Sequence, residues 1–150
     1  MVLAGKIRVQ APIQRVWDVL LEPETLQACV PGAEKIERLD DKNYTIVIMQ
    51  KVGPIKVRFK IKATLTMVEA PTHLEIEGQR ADMGKADQVV HKVRIDLQET
   101  TGNVVEISYS ADAHIAGTLA MFGERIMQAK AKKVEAEIAK SLQERLDNRA

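Results

Sequence analysis

At 150 residues, 45% of them hydrophobic, the chain is sized for one domain (1–150) with one core, and that core is aliphatic because only 3% of the residues are aromatic. The scarcity of rings excludes nucleic-acid modules that stack bases, and 22 basic against 21 acidic residues, a net charge of +1, excludes general binding to a phosphate backbone. The single cysteine, Cys29, excludes an intramolecular disulfide and a cysteine-rich zinc site.

The chain order begins with a short strand, Val2 to Val9. Ala11-Pro12 then opens a helix, since a proline in the first turn lacks only an N–H that has no intrahelical partner. Ile13, Val16, Trp17 and Leu20 recur at helical spacing and give it one buried face. Pro23 ends that helix and begins a second, which carries Leu26 and Cys29 and stops at Pro31-Gly32. From Ala33 the period changes to two. Ile36 to Leu39 and Tyr44 to Val52 flank the turn residues Asp40-Asp41-Lys42-Asn43. After Gly53-Pro54, the apolar series Ile55, Val57, Phe59, Ile61, Ala63, Leu65, Met67 alternates with polar residues through one long strand. Leu74, Ile76 and Gly78 continue the pattern, then Val89, His91, Val93, Ile95 and Leu97, and after Thr101-Gly102-Asn103 the series Val105, Ile107, Tyr109, Ala111 and Ala113. From Thr118 to Leu146 the period is helical again, with Thr118 as N-cap and Leu119, Phe122, Ile126, Met127, Val134, Ile138, Leu142 and Leu146 on one stripe. Such a helix is about 43 Å long at 1.5 Å per residue.

Every strand has one apolar face, so the sheet needs one cover, and the final helix is the element long enough to supply it. The expected fold is α+β: a curved antiparallel sheet of about seven strands around a long C-terminal helix, with two short helices after the first strand. A straight helix cannot fill a curled sheet, so a space lined by aliphatic and methionine side chains is expected between them, the kind of space that takes a small apolar ligand.

The residues also carry a resemblance. Pro12-Ile13-Gln14-Arg15-Val16-Trp17 with Leu20, Pro23, Leu26, Cys29 and Pro31-Gly32 resembles the opening of the carbon monoxide dehydrogenase G-subunit (CoxG) family. Lys51-Val52-Gly53-Pro54-Ile55-Lys56 with Phe59 resembles its next block, and Ala116-Gly117-Thr118-Leu119-Ala120 with Gly123 its entry into the final helix. The resemblance spans nearly the whole chain. It implies the helix-grip fold of the START and Bet v 1-like (SRPBCC) domains, which bind hydrophobic ligands between sheet and helix. It also implies a partner, a molybdenum hydroxylase such as carbon monoxide dehydrogenase. The implied roles are maturation, membrane recruitment or delivery of a lipophilic electron acceptor such as a quinone.

No nucleophile elbow, His-Glu-x-x-His pair or phosphate loop is present, and His73, His91 and His114 lack ligand spacing on any one element, so no catalytic residue, metal or cofactor is expected. Cys29 reads as a small buried residue near a helix C-terminus, where the dipole disfavours a thiolate. His91 and Tyr109 are the two polar groups of the apolar parity, able to orient a ligand carbonyl or hydroxyl; the plainer reading is a core histidine satisfied locally. Around them the expected ligand-binding residues are Trp17, Phe59, Ile61, Ile76 and Val93, with Met121, Phe122 and Ile126 from the start of the last helix. Gly123 is expected inside that helix, allowing a ligand or the sheet to come close.

Lys56, Arg58, Lys60 and Lys62 share the outer face of the long strand and are candidates for contact with anionic lipid headgroups; the alternative is a solvated face paired with Glu75 and Glu77. With no apolar run of signal-peptide type at Met1 to Val9 and no stretch near the ~18 apolar residues of a membrane span, the expected place is the cytoplasm, with peripheral contact at the inner face of the membrane. The expected function is non-catalytic binding of a hydrophobic small molecule. The alternatives are a cyclase- or hydratase-type enzyme using His91 and Tyr109, which needs acid/base groups facing the cavity and has no inward carboxylate in view, and a ligand-free protein-interaction module.

Overall fold

Strict alternation decides which side of a strand meets the core, and the computed structural model, which describes residues 2–80, 90–112 and 123–148 (the side chains of Val52, Val57, Phe59, Arg80 and Val90 excepted), follows that alternation along most of the sheet. The strands are β1 (Val2–Gln10), β2 (Ala33–Arg38), β3 (Asn43–Val52), β4 (Ile55–Glu69), β5 (His73–Arg80), β6 (Val90–Glu99) and β7 (Val104–Asp112). The helices are α1 (Ile13–Leu20), α2 (Pro23–Cys29) and α3 (Gly123–Asn148). The sheet is antiparallel with the order β1-β7-β6-β5-β4-β3-β2. Its two edge strands, β1 and β2, are therefore neighbours in sequence, and α1 with α2 carries the chain from one edge to the other.

Register puts Leu3, Gly5, Ile7 and Val9 of β1 against Ala111, Tyr109, Ile107 and Val105 of β7. The same face continues through Ile95 and Val93 of β6 to Leu74 and Ile76 of β5. One expectation fails in β4. Leu65 pairs with Ile76, but Met67 pairs with Glu75 and Val68 takes Leu74, because the register shifts between Leu65 and Met67. An extra residue at a bulge reverses the parity beyond it. Met67 thus leaves the apolar face, and it and Val68 are 43% and 48% exposed.

Burial is graded along the strands. The buried inner-face residues are Val9, Val105, Ile107, Leu97, Leu74, Leu65, Ala63, Tyr44 and Ile36. They lie toward the C-terminal ends of β1, β2, β4 and β6 and toward the N-terminal ends of β3, β5 and β7, which is the same end of the sheet in every case. Val16, Trp17 and Val19 of α1, Cys29 of α2 and Leu142 and Leu146 of α3 complete this packed end. Each such aliphatic side chain contributes about 1.5–3 kcal/mol when removed fully from water. At the other end the inner-face residues Leu3, Tyr109, Ala111, Ile95, Val93, His91, Ile76, Ile61, Ile46 and Ile48 are only half-buried.

Helix α3 explains the gradient. It runs along the edge strand β1 in the same direction: Lys132 Nζ donates to the Ala4 carbonyl at 3.1 Å, and Gln143 both accepts from Gln10 N–H at 2.6 Å and donates to its carbonyl at 3.1 Å. These bonds also cover part of the open edge of β1. The C-terminal turns are tied further by Arg15 to the Leu146 carbonyl at 2.5 Å and by Arg145 Nε to the buried Thr25 hydroxyl at 2.7 Å. Toward its start the helix loosens: Ile138, Val134 and Met127 are half-buried and Ile126 is 48% exposed. Gly123 has φ +79° and is the first residue of α3, so it stands at the helix boundary and not inside a continuous helix. Its requirement is conformational, since a Cβ there meets nothing within 4 Å. The expected N-cap Thr118 lies outside the described residues.

Candidate functional site

The half-open end of the sheet is the candidate site, and its wall is the inner face of β4 to β7. Ile76 and Val93 face each other across β5 and β6, and Ile95 sits opposite Tyr109. Gly78 is paired with His91, and a Cβ placed on it would come within 3.4 Å of Ile61 Cγ2 and 3.9 Å of His91 Cβ. Ile61 and His91 therefore flank Gly78 on the inner face, with Ile76 and Val93 one pair away.

The polar centre lies beside this wall. The Tyr109 hydroxyl donates to Glu135 Oε1 at 2.6 Å, and Lys132 Nζ lies 3.5 Å from the same oxygen while donating to the Ala4 carbonyl. The Glu135 side chain is only 18% exposed. Burial, and then the hydrogen bond to this carboxylate, push the Tyr109 hydroxyl well above its ordinary range, so it keeps its proton at neutral pH. Gly5 makes the approach possible: a Cβ on it would stand closer than any van der Waals contact to Glu135 Oε1 and 2.8 Å from the Tyr109 hydroxyl. Sequence reasoning misses this inward carboxylate. The helical pattern counts Glu135 among the polar residues of the helix, yet it stands seven residues before Leu142 and three before Ile138, on the turn of the apolar stripe. That spacing is the available signal.

The other expected ligand-binding residues fall in different places. Trp17 is buried in the packed end, on α1. Ile126 is exposed on the first turn of α3. Met121, Phe122 and the Phe59 side chain lie outside the described residues. Of the expected set, the structure brings together Ile61, Ile76, His91, Val93 and Tyr109.

A concavity of about 400 Å³ opens between α2 and α3. Ala28, Cys29 and Pro31 form one wall, and Glu137, Lys140, Ser141 and Glu144 the other. Its charged wall does not suit an apolar ligand, and burial raises the Cys29 thiol above its ordinary value, which disfavours nucleophilic chemistry there. Among the described residues, no group of three or more His, Cys, Asp and Glu side chains is placed to hold a metal ion.

On the outer face Lys56, Arg58, Lys60 and Lys62 are all exposed. Their expected acidic neighbours are not Glu75 and Glu77, which pair with Met67 and Thr64 on β4 and with Arg94 and Lys92 on β6. Arg58 instead makes a two-toothed contact with Glu34, at 2.6 and 3.1 Å. Lys51 and Lys56 are directly paired near the tip of the β3–β4 hairpin, so like charges meet there. Among the described residues, no helix is long and apolar enough to cross a membrane.

The model of the carbon monoxide dehydrogenase G-subunit (CoxG) family matches residues 5–147. The chain belongs to the CoxG family. No curated protein matches it. Among solved structures, a conserved protein from Geobacillus kaustophilus is 20% identical with a TM-score of 0.86, covering 98% of this chain and 95% of that one. A START superfamily protein from Mycobacterium smegmatis is 10% identical with a TM-score of 0.72, covering 99% of each. At such identities the likeness establishes the fold, and it is the START-like helix grip. Within this CoxG chain, the grip is tight at one end of the sheet and loose at the other.

Proposed function

We propose that the chain is a non-catalytic carrier that binds a hydrophobic small molecule, a lipid or a quinone-like compound, in the half-open end of the sheet–helix interior. The observation that carries this reading is the burial gradient: the inner face stays aliphatic beyond the packed end, yet its side chains are left half-covered. A folded protein gains by covering such a surface, and a flat or elongated apolar ligand supplies the cover. Native mass spectrometry of the purified protein, followed by organic extraction, tests it. The expected result is a stoichiometric adduct that yields an apolar compound; an apo mass that takes up no added lipid or quinone contradicts the carrier.

Family membership favours service to a molybdenum hydroxylase of the carbon monoxide dehydrogenase type, through maturation, membrane recruitment or delivery of an electron acceptor. The exposed Lys56, Lys60 and Lys62, with Arg58 held by Glu34, suit peripheral contact with an anionic membrane surface, each basic side chain near it contributing about 1 kcal/mol. Reversing the three lysines to glutamate is expected to remove sedimentation with phosphatidylglycerol vesicles. Sedimentation unchanged by the triple reversal counts against this surface.

A further inference from the structure

We propose that Tyr109 and Glu135 form the polar anchor of the cavity and select a ligand whose head group donates a hydrogen bond, such as a phenol or another hydroxyl. The inference rests on the carrier reading and narrows its ligand to a hydroxyl-bearing lipid or the reduced, hydroquinone form of a quinone-like compound, with an oxidised quinone rejected. Its basis is the distribution of donors and acceptors at the anchor. The single hydroxyl proton of Tyr109 is committed to Glu135 Oε1 at 2.6 Å, which leaves the phenolic oxygen able to accept. Glu135 receives both Tyr109 and Lys132 on Oε1, and among the described residues neither contact falls on Oε2. Lys132, the nearby donor, is turned to the Ala4 carbonyl as well and is largely exposed. What the pair offers an incoming head group is therefore acceptor capacity, from Glu135 Oε2 and from the Tyr109 oxygen. The apolar wall stands next to it, with Ile95 opposite Tyr109 and Val93 opposite Ala111. Gly5 lets the carboxylate press against the bare backbone of β1, which fixes its position. A carboxylate in such a place discriminates by rejection: a ketone or ether brought against it leaves two acceptors facing each other with no proton between.

The test compares 4-nonylphenol with 4-nonylanisole, which differ by one methyl group on the oxygen, by titration calorimetry on the full chain. The expected result is that the wild-type protein binds the phenol about tenfold more tightly or better, as a charge-assisted hydrogen bond would give. Glu135→Ala is expected to lose that preference while binding the anisole as before, which also shows that the variant is folded. Glu135→Gln, which keeps an acceptor without the charge, is expected to retain a reduced preference. Equal binding of the two compounds by the wild type, or a preference that survives in Glu135→Ala, overturns the anchor and leaves the carrier standing. Binding of neither compound overturns the carrier reading itself.

Discussion

Single residues set the closest tolerances in this fold. Gly32 has φ +82°, and a Cβ on it would meet the Met49 carbonyl oxygen well inside contact distance, so the turn between α2 and β2 admits glycine alone. On the outer face His73 bridges two carboxylates, with Nδ1 2.5 Å from Asp96 and Nε2 3.1 Å from Glu75. The bond to Asp96 first, then that to Glu75, raise the histidine above its ordinary value. A value raised in the folded state means that the charged form binds its partners better there. Its stabilising effect is full below the unfolded value near pH 6.5 and is lost as pH rises through the folded one. The melting-temperature deficit of His73→Gln relative to wild type is therefore expected to be larger at pH 5.5 than at pH 8.5. A deficit equal at both pH values would contradict the bridge. The parity of His73 was readable from the alternation of Leu74 and Ile76. Asp96 was not, because it comes from another strand and register fixes the meeting.

Among the elements, α3 is where pattern and packing diverge. The stripe through Val134, Ile138, Leu142 and Leu146 was legible as a helical period, and it does face the protein. The period does not tell how far along its length a helix is gripped, since that depends on where α1 and α2 pack. Leu142 is 1% exposed and Ile126 is 48% exposed, although both belong to the same sequence pattern. Leu142→Ala is expected to cost about 2–5 kcal/mol in urea denaturation, whereas Ile126→Ala is expected to stay within about 0.5 kcal/mol. Equal losses would mean that the start of the helix is packed as firmly as its end. The bulge in β4 was hidden for a similar reason: Leu65, Met67 and Val68 are all apolar, so no polar residue marked the change of parity. Glu135 was hidden by its chemistry, because a carboxylate is counted as solvent-facing until a tyrosine and a bare glycine backbone are found opposite it.

For the molecule as a whole, low aromatic content and the burial gradient are two views of one property. Trp17 and Tyr44, two of the five rings in the chain, are buried at the packed end. At the half-open end Ile46, Ile61, Ile76, Val93 and Ile95 stand half-buried on the inner face, with Tyr109 beside them. The sheet, its seven strands and the two short helices were readable from periodicity, and a space beneath α3 is what the curl of long strands leads one to expect. Which end would stay open was not readable, since it is decided by the path of α1 and α2 between the two edge strands. The central claim is that this space is unfilled, and Val93→Trp tests it most directly. A tryptophan placed on that inner face is expected to leave the urea midpoint near that of the wild type while abolishing saturable binding of an apolar fluorescent probe. A filled interior would instead be overpacked, with stability falling by about 1–3 kcal/mol and no saturable binding in the wild type to lose.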